Sequence, residues 1–171
     1  MWRYRGDELP PFALPAGPGQ ESVWSYPRPP RIERDRREVV VRLGEVEIAR
    51  TRAALRVLET ASPPTWYLPW TDLQHAHLAR CGGSSMCEWK GRAGYWSVLA
   101  DGRRLEAVAW SYDSPLPGFE AIRGHLGFNP HELECSVGGV RVLPQPGRFY
   151  AGWVTPEVVG PFKGEPASSG W

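Results

Sequence analysis

Long apolar runs are missing from this chain of 171 residues. No stretch approaches the ~20 residues a membrane-crossing helix needs, and Met1-Trp-Arg-Tyr-Arg-Gly-Asp7 lacks the apolar centre of a secretory signal. Cysteine is scarce. Cys81, Cys87 and Cys135 are odd in number and unevenly spaced, which argues against a disulfide framework. Reduced thiols and a cytoplasmic setting are expected instead. Charge of one sign is not in excess either: 20 basic residues oppose 19 acidic ones, for a net charge of +1. No strong field exists to draw in nucleic acid or an anionic membrane surface. The sequence has no phosphate-binding glycine loop, no dinucleotide fingerprint and no Gly-x-Ser-x-Gly elbow.

What the chain has in quantity is proline (18), glycine (19) and tryptophan (nine). Frequent Pro and Gly mean many turns and short elements, which favours a mainly β fold. The length suits one domain with a sizeable core. Residues 1–22 read as an extended N-terminal arm, 23–143 as a β-rich core domain, and 144–171 as a C-terminal arm packed through Phe149, Tyr150, Trp153 and Phe162. In the core, Val39, Val41 and Leu43 alternate with Val40 and Arg42, and Gly44-Glu45 supplies a two-residue hairpin turn. Thr51 caps an expected short helix to about Glu59, with Ala54, Leu55 and Leu58 on one face and Arg52 and Arg56 solvated. Thr65–Leu68 reads as a strand, and residues 80–86 as a Gly-Ser loop. Asp101-Gly102 and Gly138-Gly139 mark two further hairpins. Trp89-Lys-Gly and Phe162-Lys-Gly look alike, but so short a match carries no repeat.

The candidate chemistry gathers between Cys87 and Pro115. Cys87 is a candidate thiol nucleophile, and Lys90 a candidate anion binder or Schiff-base amine. In a regular strand, residues three apart face opposite sides. Only a bulge or turn near Gly91 brings the thiol and ammonium together; otherwise Cys87 is a buried thiol and Glu88–Lys90 a surface pair. Trp110 and Tyr112 share a strand face, and Trp96 could join them from the neighbouring strand. That trio reads either as a wall on which a flat ligand stacks or as ordinary cross-strand aromatic pairing. Glu59, at the expected helix end, opposes the helix dipole and reads either as held by a partner such as Lys90 or a backbone amide, or as simply exposed. His75 and His77 with Cys81 and Cys87 carry zinc-ligating atoms, but at the wrong spacing for a closed site, so no metal and no cofactor are expected. Glu45 and Glu47 lie on the wet face of a hairpin, not paired as a Mg²⁺ site requires.

Several motifs in fixed order carry a resemblance. They are Val23-Trp-Ser-Tyr-Pro-Arg-Pro-Pro30, Arg56-Val-Leu-Glu-Thr60, Pro63-Pro-Thr-Trp-Tyr-Leu-Pro69, Cys87-Glu-Trp-Lys-Gly91 and Ala109-Trp-Ser-Tyr-Asp-Ser-Pro115. Together they resemble the family known as domain of unknown function 427, and the C-terminal Gly152-Trp-Val-Thr-Pro arm is similar to its longer members. Glu88 stands where that family usually has Pro, and Asn129 where it usually has Tyr. The resemblance implies a β-tent-type fold, similar in architecture to methionine sulfoxide reductase B-type domains. A label carried by the family also suggests nucleotidyl transfer, which no residues of this chain support.

The fold expected is therefore mainly β: one β-tent-like domain of two small antiparallel sheets, one short helix, and both arms wrapped around the body. The function expected is binding of a small, partly flat or anionic metabolite by Glu59, Cys87, Lys90, Trp96, Trp110 and Tyr112. The alternatives are an enzyme using Cys87 or Lys90, and a protein-interaction module or homo-oligomer built on the Trp-rich arms.

Overall fold

Period-2 alternation and frequent turn residues produce strands throughout. The computed structural model describes all residues, 1–171, and holds fifteen strands and no α-helix. In chain order these are β1 (Glu21–Ser22), β2 (Arg31–Asp35), β3 (Val39–Leu43), β4 (Val46–Thr51), β5 (Ala54–Leu58), β6 (Thr65–Tyr67), β7 (Leu78–Cys87), β8 (Gly91–Ala100), β9 (Arg103–Ser111), β10 (Leu126–Phe128), β11 (Glu134–Val137), β12 (Val140–Arg141), β13 (Leu143–Pro144), β14 (Trp153–Val154) and β15 (Val158–Val159). The helical content is four single 3₁₀ turns, so no helix is long and apolar enough to cross a membrane.

Three antiparallel sheets, rather than the two expected, carry the fold. Their strand orders are β12-β11-β3-β4, β10-β9-β8-β7 and β2-β5-β6. Leu68 and Leu126 join the last two by exchanging a pair of 2.9 Å backbone hydrogen bonds. The main core lies between the first two sheets. Val39, Val41 and Ile48 meet Val98, Val108 and Phe128 there, and Trp66 stacks on Trp153 at 5.7 Å.

The expected helix over residues 51–59 does not form. Its residues belong to β4 and β5, and β5 is the middle strand of its sheet, paired with β2 and β6. Both faces of β5 are covered, so Ala54, Val57 and Leu58 are buried together. A helical apolar spacing cannot be told from a strand buried on both sides. Residues 80–86, expected as a loop, lie within β7, whose register with β8 shifts between Cys81 and Ser84. That bulge accommodates Gly82-Gly83.

The terminal segments are tied down rather than trailing. β1 pairs in parallel with β15, and β13 pairs with β14. The buried Trp24 ring meets Tyr4, Phe12 and Trp171 edge-on at 5.1 to 5.5 Å, and its indole N–H donates to the Pro161 carbonyl. Of the four aromatic anchors expected after residue 143, Phe149 is instead exposed to solvent.

Arg56, expected at the surface, is buried. It donates to Glu21 and, at 2.9 Å, to Glu33, while Arg37 bridges Asp35 and Glu157 at 2.7 Å. This network links β1, β2, β5 and the C-terminal segment. Removing the cation would strand two carboxylates. Arg56→Met is therefore expected to cost about 2 kcal/mol, discounted because both partners touch water. Urea unfolding measures this, and a loss below ~0.5 kcal/mol would show the network to be fully screened.

Candidate functional site

β8 and β9 pair with Tyr95 opposite Trp110. Side chains alternate across a strand, so Ala93, Tyr95, Trp110 and Tyr112 leave the sheet on one side. On the facing sheet Val57 stands opposite Thr65 and Leu55 opposite Tyr67. Between these surfaces lies a cleft of about 520 Å³, within the ~300–1,000 Å³ range typical of small-ligand sites. Tyr67 and Trp110 are fixed to one another: the indole N–H donates to the Tyr67 hydroxyl at 3.2 Å, and the rings meet edge-on.

Trp96 lies elsewhere. It is one residue beyond Tyr95, so it points to the opposite sheet face, where its N–H donates to Ser111 Oγ at 3.0 Å and Arg80 covers its ring at 4.3 Å. The other five expected residues, Glu59, Cys87, Lys90, Trp110 and Tyr112, all line the cleft.

A tight turn settles the Cys87–Lys90 geometry. Cys87 pairs with Gly91, so Glu88, Trp89 and Lys90 form a three-residue hairpin loop rather than a continuing strand. Gly91 takes φ +101°, and a Cβ there would crowd Leu116 Cγ at 3.2 Å. The Lys90 carbonyl accepts the Leu116 N–H at 3.0 Å. The loop swings the Lys90 side chain inward, to 9% exposure, so the expected surface pair with Glu88 does not form.

The Lys90 ammonium lies 6.0 Å from the Tyr67 ring centre and 5.7 Å from that of Tyr112. Burial pushes its pKa down, but Tyr67, Cys87 and Glu59 together hold it above the ordinary lysine value. It therefore stays charged at neutral pH. Burial, with Tyr67 and Cys87 nearby, raises the Tyr112 phenol, which stays neutral and able to donate.

Glu59 follows β5 directly, with no helix behind it. Its partners are Arg28 Nε and Trp89 Nε1, each at 3.3 Å. Arg28 is buried, donates to the Tyr4 and Thr60 carbonyls, and stacks on Trp2 at 4.1 Å. The carboxylate is thus answered from within the protein, while Lys90 has no ion-pair partner.

Sequence reasoning missed the terminal segments' share of the site. Trp2, Gln145, Phe149, Tyr150 and Lys163 also line the cleft, as do Glu88 and Asn129. The shared Trp89-Lys-Gly and Phe162-Lys-Gly pattern was the available signal for Lys163. A second, more open hollow of about 540 Å³ lies beside Trp2, Lys163 and Trp171. No three metal-ligating side chains converge anywhere.

Sheets and cleft together define a small β protein with an aromatic, cation-bearing pocket between two of its sheets. The chain belongs to the family described as domain of unknown function 427, whose model matches residues 31–139. No curated protein matches it. Glu59, Cys87, Lys90, Trp110 and Tyr112 fall inside the matched region; Trp2, Tyr150 and Lys163 fall outside it.

Two outcomes test this geometry. A Cβ at Gly127 would lie 2.5 to 2.9 Å from three atoms of the Trp110 indole. Gly127→Ala should displace that ring and cost about 1–3 kcal/mol through overpacking; an unmoved Trp110 indole signal in NMR would contradict the packing. The second outcome concerns alkaline pH. Tyr112 is raised chiefly by burial, and so is Tyr26, with Glu21 adding to it. The unfolded chain loses these protons near pH ~10 while the folded chain keeps them, so stability is present below that pH and falls as pH climbs past it. Phenolate absorbance from these two residues should appear only as the protein unfolds.

Proposed function

We propose that this protein binds a small, flat, anionic metabolite in the cleft between β5–β6 and β8–β9. One observation carries the reading: the Lys90 ammonium is buried beside the Tyr67 and Tyr112 rings and forms no ion pair with any carboxylate of the protein. A buried cation is costly unless something pairs with it. A ligand carboxylate or phosphate would supply that partner, and Trp110 with Tyr67 and Tyr112 would supply stacking surface and hydroxyl donors. Because Lys90 stays protonated, it suits charge recognition better than Schiff-base chemistry, which needs a neutral amine. The three cysteines are free, which fits a cytoplasmic setting.

The test is native mass spectrometry of the protein isolated from its own cells, compared with its denatured mass. An adduct of metabolite size is expected in the native state. Lys90→Met should weaken its binding about 10–100-fold, as expected for loss of a charge-assisted hydrogen bond. Trp110→Ala should weaken it too, with circular dichroism unchanged. An adduct retained equally by Lys90→Met would overturn the reading, and loss of the fold in that variant would make Lys90 structural.

A further inference from the structure

Only two of the 20 basic residues are lysine, Lys90 and Lys163. Eleven of the eighteen arginines form ion pairs, and neither lysine does. Both lysines line the same cleft. Each sits in an aromatic-Lys-Gly tripeptide whose glycine is left-handed, with φ +101° at Gly91 and +105° at Gly164. Two side chains distant in sequence thus border one cleft, Lys163 from the side where the second hollow also opens.

Lys163 is held by its backbone rather than by a counter-charge. Its N–H donates to the Ala61 carbonyl at 2.8 Å, and its carbonyl accepts from Gln145 Nε2 at 2.7 Å. Its ammonium lies over the Trp2 and Tyr150 rings at 5.3 and 5.1 Å. Aromatic faces hold a cation without neutralising it. The cleft's carboxylates do not cancel the pair: Glu59 is committed to Arg28 and Trp89, and Glu88 is exposed in its loop. Two unpaired ammoniums around a partly dry space raise its positive potential.

We infer that the ligand is a dianion on a flat ring, with one acid group answered by Lys90 on the inner wall and a second by Lys163 on the rim that the terminal segments build. This inference rests on the anion-binding reading above. Two cations presented from separate walls call for two acid groups on one ligand. A monoanion leaves Lys163 unanswered.

Lysine-selective ¹³C labelling tests this directly, since the chain yields only two sets of Cε signals. Lys163→Arg assigns them and keeps the charge; Lys163→Met removes it. The probes are terephthalate, with an acid at each end of its ring, and benzoate, with one. Terephthalate should shift both lysine signals and bind roughly five- to tenfold tighter than benzoate, the increment of one further ion pair in a partly desolvated site. Benzoate should shift Lys90 alone. Lys163→Met should abolish the preference for terephthalate, and Lys163→Arg should keep it. If terephthalate shifts only Lys90, or the two probes bind equally, the dianion inference fails and anion binding stands. If neither signal moves with either probe, both readings fail.

Discussion

The register of β9 between its two neighbours is the constraint on which the cleft depends. Trp110 stands opposite Tyr95 on one side and Gly127 on the other. The missing side chain at Gly127 lets the indole lie across the backbone and reach Tyr67. A slip of one residue would carry Trp110 and Tyr112 to the opposite face and bring Ala109 and Ser111 into the cleft. Core and cleft are thus two faces of the same strands, and packing of Val108 and Ala109 against Val39 and Val41 sets the aromatic wall behind them. The bulge between Trp96 and Val98 in the β8–β9 ladder, with Ala107 at φ +54°, confines the register change to the end of the sheet beyond that wall.

Charge is distributed with the same economy. Glu59 and Lys90 lie on one cleft, and Glu59 contributes to keeping Lys90 protonated, yet the carboxylate is bonded to Arg28 and Trp89. The buried guanidinium of Arg28 is itself satisfied by the Tyr4 and Thr60 carbonyls and by the face of Trp2. The inner wall comes from the region shared with the family, residues 31–139. Much of the rim comes from residues on either side of it. A common wall with an individual rim is a physical route by which one fold can hold different small molecules.

Turn chemistry made much of the fold legible. Gly44-Glu45, Asp101-Gly102 and Gly138-Gly139 each join the strands their flanking alternation indicates, because such turns are decided within four residues. Longer-range pairing was not legible. Ala54, Leu55 and Leu58 satisfy a helical stripe as well as a central strand, and what decides between them is β2 and β6, which the local sequence does not reveal. Gly82-Gly83-Ser84-Ser85 has loop composition, but β8 recruits it into an edge strand. At the site, residues on one strand, such as Trp110 and Tyr112, could be placed by alternation alone. Trp96 could not, because its side depends on a register between strands. Cys87 and Lys90 could be placed on the same cleft only by knowing that the chain turns after Cys87.

Arginine carries the structural pairing in this molecule, and its guanidinium holds its proton throughout the accessible pH range. Lysine, the side chain whose amine can be acylated or otherwise modified, occurs only at the cleft. Apart from the N-terminal amine, an acyl donor or reducing sugar in the cell therefore has one address on this protein. Such a modification would leave the Arg56 and Arg37 networks intact and remove charge only at the cleft, where the proposed ligand would sit. The chain's whole complement of side-chain amines thus borders the cleft, and a ligand of the proposed kind would shield both from such reagents.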